Sequence, residues 1–163
     1  GYAYGANVGW INLGEISANV HVVTTLNPGL DTDNDGIADA WEYSRTGSTN
    51  LALLGSTLSA DYDKDGQTDR QEYLADTNPL DSGDYLRITS IAELAIPGAF
   101  DLTFTTRPTR IYHIQQSPDL VSAWINTLGP LMPNAPLKTV TVMEPDGIPR
   151  HFWRATAGLP LQP

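Results

Sequence analysis

The chain has 163 residues, 40% of them hydrophobic, no cysteine and a formal net charge of −10. That length suits one ordinary domain or two small ones with a buried core. The composition excludes disulfides and cysteine-ligated metals, and no apolar run approaches the ~20 residues a membrane helix needs. The charge is concentrated. Residues 31–84 hold thirteen acids against three bases, while the rest of the chain carries six of each, so one segment accounts for all of the −10. With no basic stripe to neutralise phosphates, nucleic acid is not an expected partner.

In chain order, residues 1–28 form the first zone. The chain opens on Gly1, without Met and without a charged-then-apolar leader, as expected of a mature exported chain or a trimmed one. Two runs read as strands, 7–13 and 18–25. The second is β-branched on both faces at Val20, Val22 and Val23, the pattern of a strand covered on two sides. Asn27-Pro28-Gly29 then stops it.

Residues 29–84 contain two copies of one pattern, thirty residues apart. An EF-hand loop reads D-x-[DN]-x-[DN]-G-x5-E. The first copy, 31–42, supplies Asp31, Asp33, Asp35, Gly36, Ile37, Asp39 and Glu42. The second, 61–72, supplies Asp61, Asp63, Asp65, Gly66, Gln67, Asp69 and Glu72. The spacing follows from the chemistry. Calcium takes six to eight oxygens at about 2.3–2.6 Å, and alternating carboxylates on a tight loop point one edge inward. The glycines permit the sharp turn. Ile37 and Gln67 offer backbone carbonyls, Asp39 and Asp69 ligate directly or through water, and Glu42 and Glu72 close each site with both oxygens. A solvated acidic face is the bland alternative for a charge run, but two copies both ending in Glu at position twelve argue for two calcium ions, which would cancel four of the excess charges.

Asn27-Pro28-Gly29 forbids a helix entering the first loop, so each unit is read as loop–helix, with helices over 38–46 and 68–76. A further helix over 51–58 is weakened by Gly55. Gly47 and Asn78-Pro79 are the stops. Trp41, Tyr43, Tyr73 and Leu74 are expected to pack.

Residues 85–163 read as all-β. Leu86/Ile88, Leu102/Phe104, Tyr112/Ile114, Val140/Val142 and Phe152/Arg154 lie in strand-like runs. Pro97-Gly98, Arg107-Pro108, Gly129-Pro130, 133–136 and 145–149 are the breaks between them. Short strands with Pro/Gly turns predict a small antiparallel β-sandwich, which the N-terminal strands could help complete. The expected fold is therefore mainly β: an N-terminal β-segment (1–28), a small calcium-binding loop–helix module (29–84) and a C-terminal β-sandwich (85–163).

The acidic segment, with its D-x-D-x-D-G-x-x-D-x-x-E-Y phrasing and the following Thr77-Asn78-Pro79-Leu80-Asp81, resembles dockerin-type and thrombospondin type 3-like calcium repeats of secreted bacterial multidomain proteins. The resemblance covers about a third of the chain. It implies calcium ligation by the residues named and a stiffened junction between β-domains. Dockerins bind a cohesin through their helix faces, and no cohesin-binding pattern occurs here. The stretch 112–120 (YHIQQSPDL) with Trp124 and Phe152-Trp153-Arg154 looks like a β-domain that follows such repeats, which implies an extracellular sandwich without known chemistry. Residues 5–12 (GANVGWIN) resemble short segments of other secreted bacterial proteins.

An enzyme is not expected. His21, His113 and His151 lack metal-ligand spacing, and no G-x-S-x-G, H-E-x-x-H, P-loop or G-x-G-x-x-G occurs. A glycosidase-like acid pair is conceivable, but the carboxylates with clear spacing belong to the two loops. The leading expectation is a secreted structural protein. The N-terminal strands dock either in cis or on another copy of the chain, and strand exchange of the latter kind builds a filament. The alternative is a surface adhesion or carbohydrate-binding module with structural calcium, in which Trp10, Trp41, Trp124 or Trp153 stacks on glycans rather than packing in a core.

Overall fold

The computed structural model describes residues 2–5, 9–12, 14–15, 20–21, 30–47, 60–133, 135–144 and 151–160, the first four of these stretches by backbone pairing alone. The chain is mainly β. It divides into two compact units, Gly1–Tyr85 with Leu159–Pro163, and Leu86–Gly158. Among the described residues no helix is long and apolar enough to cross a membrane.

The first unit begins with two short antiparallel pairs. β1 (Tyr2–Gly5) pairs with β2 (Gly9–Asn12), Tyr2 opposite Asn12, and β3 (Gly14–Glu15) pairs with β4 (Val20–His21). β2 falls inside the run predicted over 7–13 and β4 inside that over 18–25, whereas β1 was not foreseen. The rest of the second run, and the helix expected over 51–58, lie outside the described residues. Two short helices follow, α1 (Asp39–Thr46) and α2 (Asp69–Ala75), one after each acidic loop. Each starts one residue inside its predicted span. Gly47 ends α1 in the left-handed region (φ 73°), its N–H bonded to the Tyr43 carbonyl. α2 ends earlier than the predicted Asn78-Pro79 stop. Asp76 itself adopts φ 59°, and the Thr77 N–H donates to the Glu72 carbonyl, a left-handed cap made without glycine.

Ile37, Ala38, Trp41 and Tyr73 form the apolar core of this unit, with Leu159 against it. The Trp41 and Tyr73 rings meet edge to face at 5.3 Å. Tyr43, expected to pack like Tyr73, is 61% exposed. Position eleven of the loops is Trp41 in the first and Gln71 in the second, so an aromatic partner exists on one side only.

The second unit is a six-stranded β-sandwich. β5 (Ile88–Glu93), β6 (Ala99–Thr105) and β9 (Leu137–Met143) form one antiparallel sheet in the order β5-β6-β9. β7 (Ile111–Ser117), β8 (Ile125–Leu131) and β10 (Phe152–Gly158) form the other, in the order β10-β7-β8. The period-two alternation of β6 and β7 puts Leu102, Phe104, Tyr112 and Ile114 inward, and Val142 of β9 joins them. Trp153, Ala155 and Ala157 line the same core from β10. The Phe104 and Tyr112 rings lie 5.7 Å apart, and the buried Tyr112 hydroxyl accepts the Arg107 N–H at 2.7 Å. All six strands of these two sheets come from residues 88–158.

Gly129-Pro130, read as a break, lies inside β8 instead. β8 is an edge strand, where a residue without an N–H costs no ladder bond on the open side. The register between β7 and β8 shifts twice to absorb it.

Candidate metal centre

Both acidic loops fold to the same backbone design. Position four is left-handed in each, at Asn34 (φ 61°) and Lys64 (φ 65°), and so is position six, at Gly36 (φ 88°) and Gly66 (φ 95°). These turns aim N–H groups at the carboxylate of position one. Gly36 N–H donates to Asp31 Oδ2 and Gly66 N–H to Asp61 Oδ2, both at 3.0 Å. Position seven donates to position five, Ile37 to Asp35 Oδ1 at 2.8 Å and Gln67 to Asp65 Oδ1 at 2.6 Å. The loop ends are tied by backbone bonds of 2.8 Å, Asp39 N–H to the Leu30 carbonyl and Asp69 N–H to the Ala60 carbonyl.

The result is two carboxylate clusters. Oxygens of Asp31, Asp33 and Asp35 all lie within 4.8 Å of one another, and those of Asp61, Asp63 and Asp65 do the same. The helices add the closing acids. Glu42 is 0% exposed and Glu72 1%. Both Glu42 oxygens are buried without a hydrogen-bond partner, as are Glu72 Oε2, Asp63 Oδ2, Asp65 Oδ2 and Asp69 Oδ2. A buried polar atom without a partner costs about 1–3 kcal/mol, more when charged. So many in two small loops is therefore a strong departure from ordinary protein interiors.

The electrostatics follow. Burial, then repulsion from Asp35, Asp33, Asp39 and Asp31, pushes the Glu42 carboxyl up to about 8. Burial, then Asp63 and Asp65, pushes Glu72 up to about 8, although the Thr77 hydroxyl donates to its Oε1 at 3.3 Å. Asp35, Asp63 and Asp69 are raised as well, each first by burial. Asp39 moves the other way, held low by the hydroxyl and N–H of Thr32, which bond its two oxygens at 2.6 and 2.7 Å.

Position nine thus works partly as a staple. Asp39 grips Thr32, and Asp69 Oδ1 takes the Tyr62 N–H at 3.0 Å. The sequence pattern assigns these acids to the ion. In the structure they also lock position two of each loop. Asp31, Asp33 and Asp35 cluster in one loop and Asp61, Asp63 and Asp65 in the other, and the buried Glu42 and Glu72 feel the charge of their own loop's aspartates. From Ile37 and Gln67 the sequence pattern would draw a backbone carbonyl. The donor set is oxygen only, with neither His nor Cys, which fits a hard divalent cation and not a zinc- or copper-type ion.

Residues that sequence reasoning missed link the two loop–helix copies. Trp41 Nε1 and Arg45 Nη2 both donate to Asp76 Oδ1 at 2.9 Å, and the Arg45 guanidinium lies 5.6 Å from the Trp41 ring centroid. Arg70 Nη1 donates to the Asp35 carbonyl at 3.1 Å. The pseudo-repeat hints that the copies pack together, but the partners become visible only once they do. Of the other expected aromatics, Trp153 lines the sandwich core and Trp124 lies under the Arg154 guanidinium, 4.2 Å from its ring centroid. The Trp10 side chain lies outside the described residues. No family model, no curated protein and no solved structure matches the chain.

Proposed function

We propose that the two loops bind one calcium ion each and that the chain is a calcium-stiffened structural protein of the secreted, dockerin-like type. The observation that carries this is Glu42. A carboxylate that is wholly buried, has both oxygens unpartnered and sits among Asp31, Asp33 and Asp35 is the expected remainder of a cation site. Six or seven protein oxygens, including a glutamate able to use both of its own, suit calcium better than magnesium, which keeps several waters in a strict octahedron. The cation's chemistry here is charge neutralisation and cross-linking of loop to helix. The role is structural because the ligands leave the first turn of each helix tied to its loop.

Isothermal titration of chelator-stripped protein should find two sites per chain, with affinities on the order of 10⁻⁴–10⁻³ M or tighter, the extracellular range. No heat and no saturable binding in millimolar calcium would overturn the reading. Assembly of copies through the N-terminal strands belongs to the same proposal. Two-stranded pairs as short as β1–β2 and β3–β4 are marginal alone, so another edge or surface must support them. Negative-stain microscopy in calcium distinguishes a filament from single particles.

A further inference from the structure

The two loops share one backbone design but differ in side chain at position ten, which is Ala40 in the first and Arg70 in the second. Arg70 lies in the first turn of α2, one residue after the loop staple Asp69 and two before the closing acid Glu72. Its side chain leaves its own loop and covers the other. Nη1 bonds the Asp35 carbonyl at 3.1 Å, and a Cβ added at Gly36 would collide with the guanidinium, whereas one added at Gly66 would meet open space. The helix that closes the second loop therefore carries the group that braces the sharp turn of the first. That turn presents the Asp35 and Gly36 N–H groups to Asp31.

We propose that Arg70 couples the two metal sites, so that filling the 61–72 loop raises the affinity of the 31–42 loop. The inference rests on the calcium reading above. Ligation by Glu72 fixes the start of α2, and with it the position of Arg70 against Asp35 and Gly36. Loop 31–42 then meets its ion with its turn already formed. The positive charge of Arg70, once placed there, opposes a cation in that loop, so the coupling is the gain from the preformed turn less that repulsion. Among the described residues Arg70 forms no salt bridge with a loop carboxylate; its direct bond is to the turn's backbone, and its charge reaches Asp35 only through space.

The test is a calcium titration of the full chain followed by amide ¹H–¹⁵N signals. Gly36 and Gly66 report the two loops separately. Glu72→Gln should raise the calcium midpoint at Gly36 by about fivefold, the lower end of ordinary coupling between sites. In an Arg70→Gln background the same Glu72→Gln change should move the Gly36 midpoint by less than about twofold. Arg70→Lys, which keeps the charge without the planar fork, should behave like Arg70→Gln. Because coupling is reciprocal, Glu42→Gln should shift the Gly66 midpoint by the same factor in the presence of Arg70, which gives a second route if one variant folds poorly. Equal shifts in both backgrounds, or none in either, overturn the coupling while leaving two calcium sites. If neither glycine signal moves in millimolar calcium, the calcium reading itself fails.

Discussion

Removing calcium should destabilise the protein by an amount that grows with pH. Glu42 and Glu72 titrate near 8 in the fold and near 4.5 when unfolded. An acid with a raised native pKa binds more protons folded than unfolded between those two values. Stability of the calcium-free chain therefore falls as pH rises through that window. At 1.36 kcal/mol per pKa unit, going from pH 4.5 to pH 7 spans about 2.5 units and costs at most about 3 kcal/mol for each glutamate. Local opening of a loop caps the loss, because it returns the carboxylate to water for the price of the loop's own hydrogen bonds. Even half the ceiling, about 3 kcal/mol for the pair, is a large share of the 5–15 kcal/mol of an ordinary fold.

Calcium, bound as proposed, should reverse the trend, since it takes only the deprotonated carboxylates. A hundredfold excess over Kd adds about 2.7 kcal/mol per site. The assay is a matrix of thermal melts at pH 5.5, 6.5, 7.5 and 8, each with calcium and with EGTA. At about 2–4 °C per kcal/mol, the gap between paired melts should widen by roughly 10 °C or more from the lowest pH to the highest. Titration near pH 7 in buffers of different ionisation enthalpy should show release of about two protons per chain as both sites fill. The Glu42→Gln/Glu72→Gln double variant should flatten the pH dependence in EGTA. A gap that stays constant from pH 5.5 to pH 8 would refute the reasoning, because it would mean that the buried glutamates neither hold protons nor meet the ion.

Alanine at Gly66 should cost about 1–2 kcal/mol for its left-handed backbone alone, whereas alanine at Gly36 should cost more, because its Cβ also displaces Arg70. Chemical denaturation in EGTA gives the order, and an added Arg70→Ala should recover the excess at Gly36 and nothing at Gly66. In the sandwich, Phe104→Ala should cost about 3–5 kcal/mol, since the ring is fully buried against Tyr112. A urea midpoint that barely moves would contradict the core assignment.

The sandwich strands were legible where alternation was clean. Leu102/Phe104 and Tyr112/Ile114 alternate with polar residues, and they became the inward face of the two central strands. β8 was not legible. Its INTLGPL sequence carries a Gly-Pro that signals a turn in isolation. Only its place at a sheet edge, where it takes up two register shifts against β7, makes it a strand. Edge position is a property of the assembled sheet, so no local pattern announces it. The same holds for Tyr43 and Tyr73. They occupy equivalent places in the two copies, and their fates diverge because Trp41 on one helix has Gln71 as its counterpart on the other.

The clustering of the loop carboxylates was legible in the sequence for a physical reason. Ligand spacing in a loop of this kind is a local property: alternate carboxylates, a glycine at the turn and an acid one helical turn beyond all act within twelve residues. The structure clusters positions one, three and five of each loop and buries unpartnered oxygens of Glu42 and Glu72. What the pattern could not encode is the relation between the copies. Arg70 reads as one more charged residue on a short helix until α2 is placed beside the first loop, where its fork reaches Asp35 and its bulk requires Gly36 to lack a side chain. Glycine at position six of the first loop thus answers to two demands, its own φ and a neighbour's guanidinium, whereas Gly66 answers to one. The repeat supplies two similar sites, and the departures from the repeat, at positions ten and eleven, make them unequal and join them.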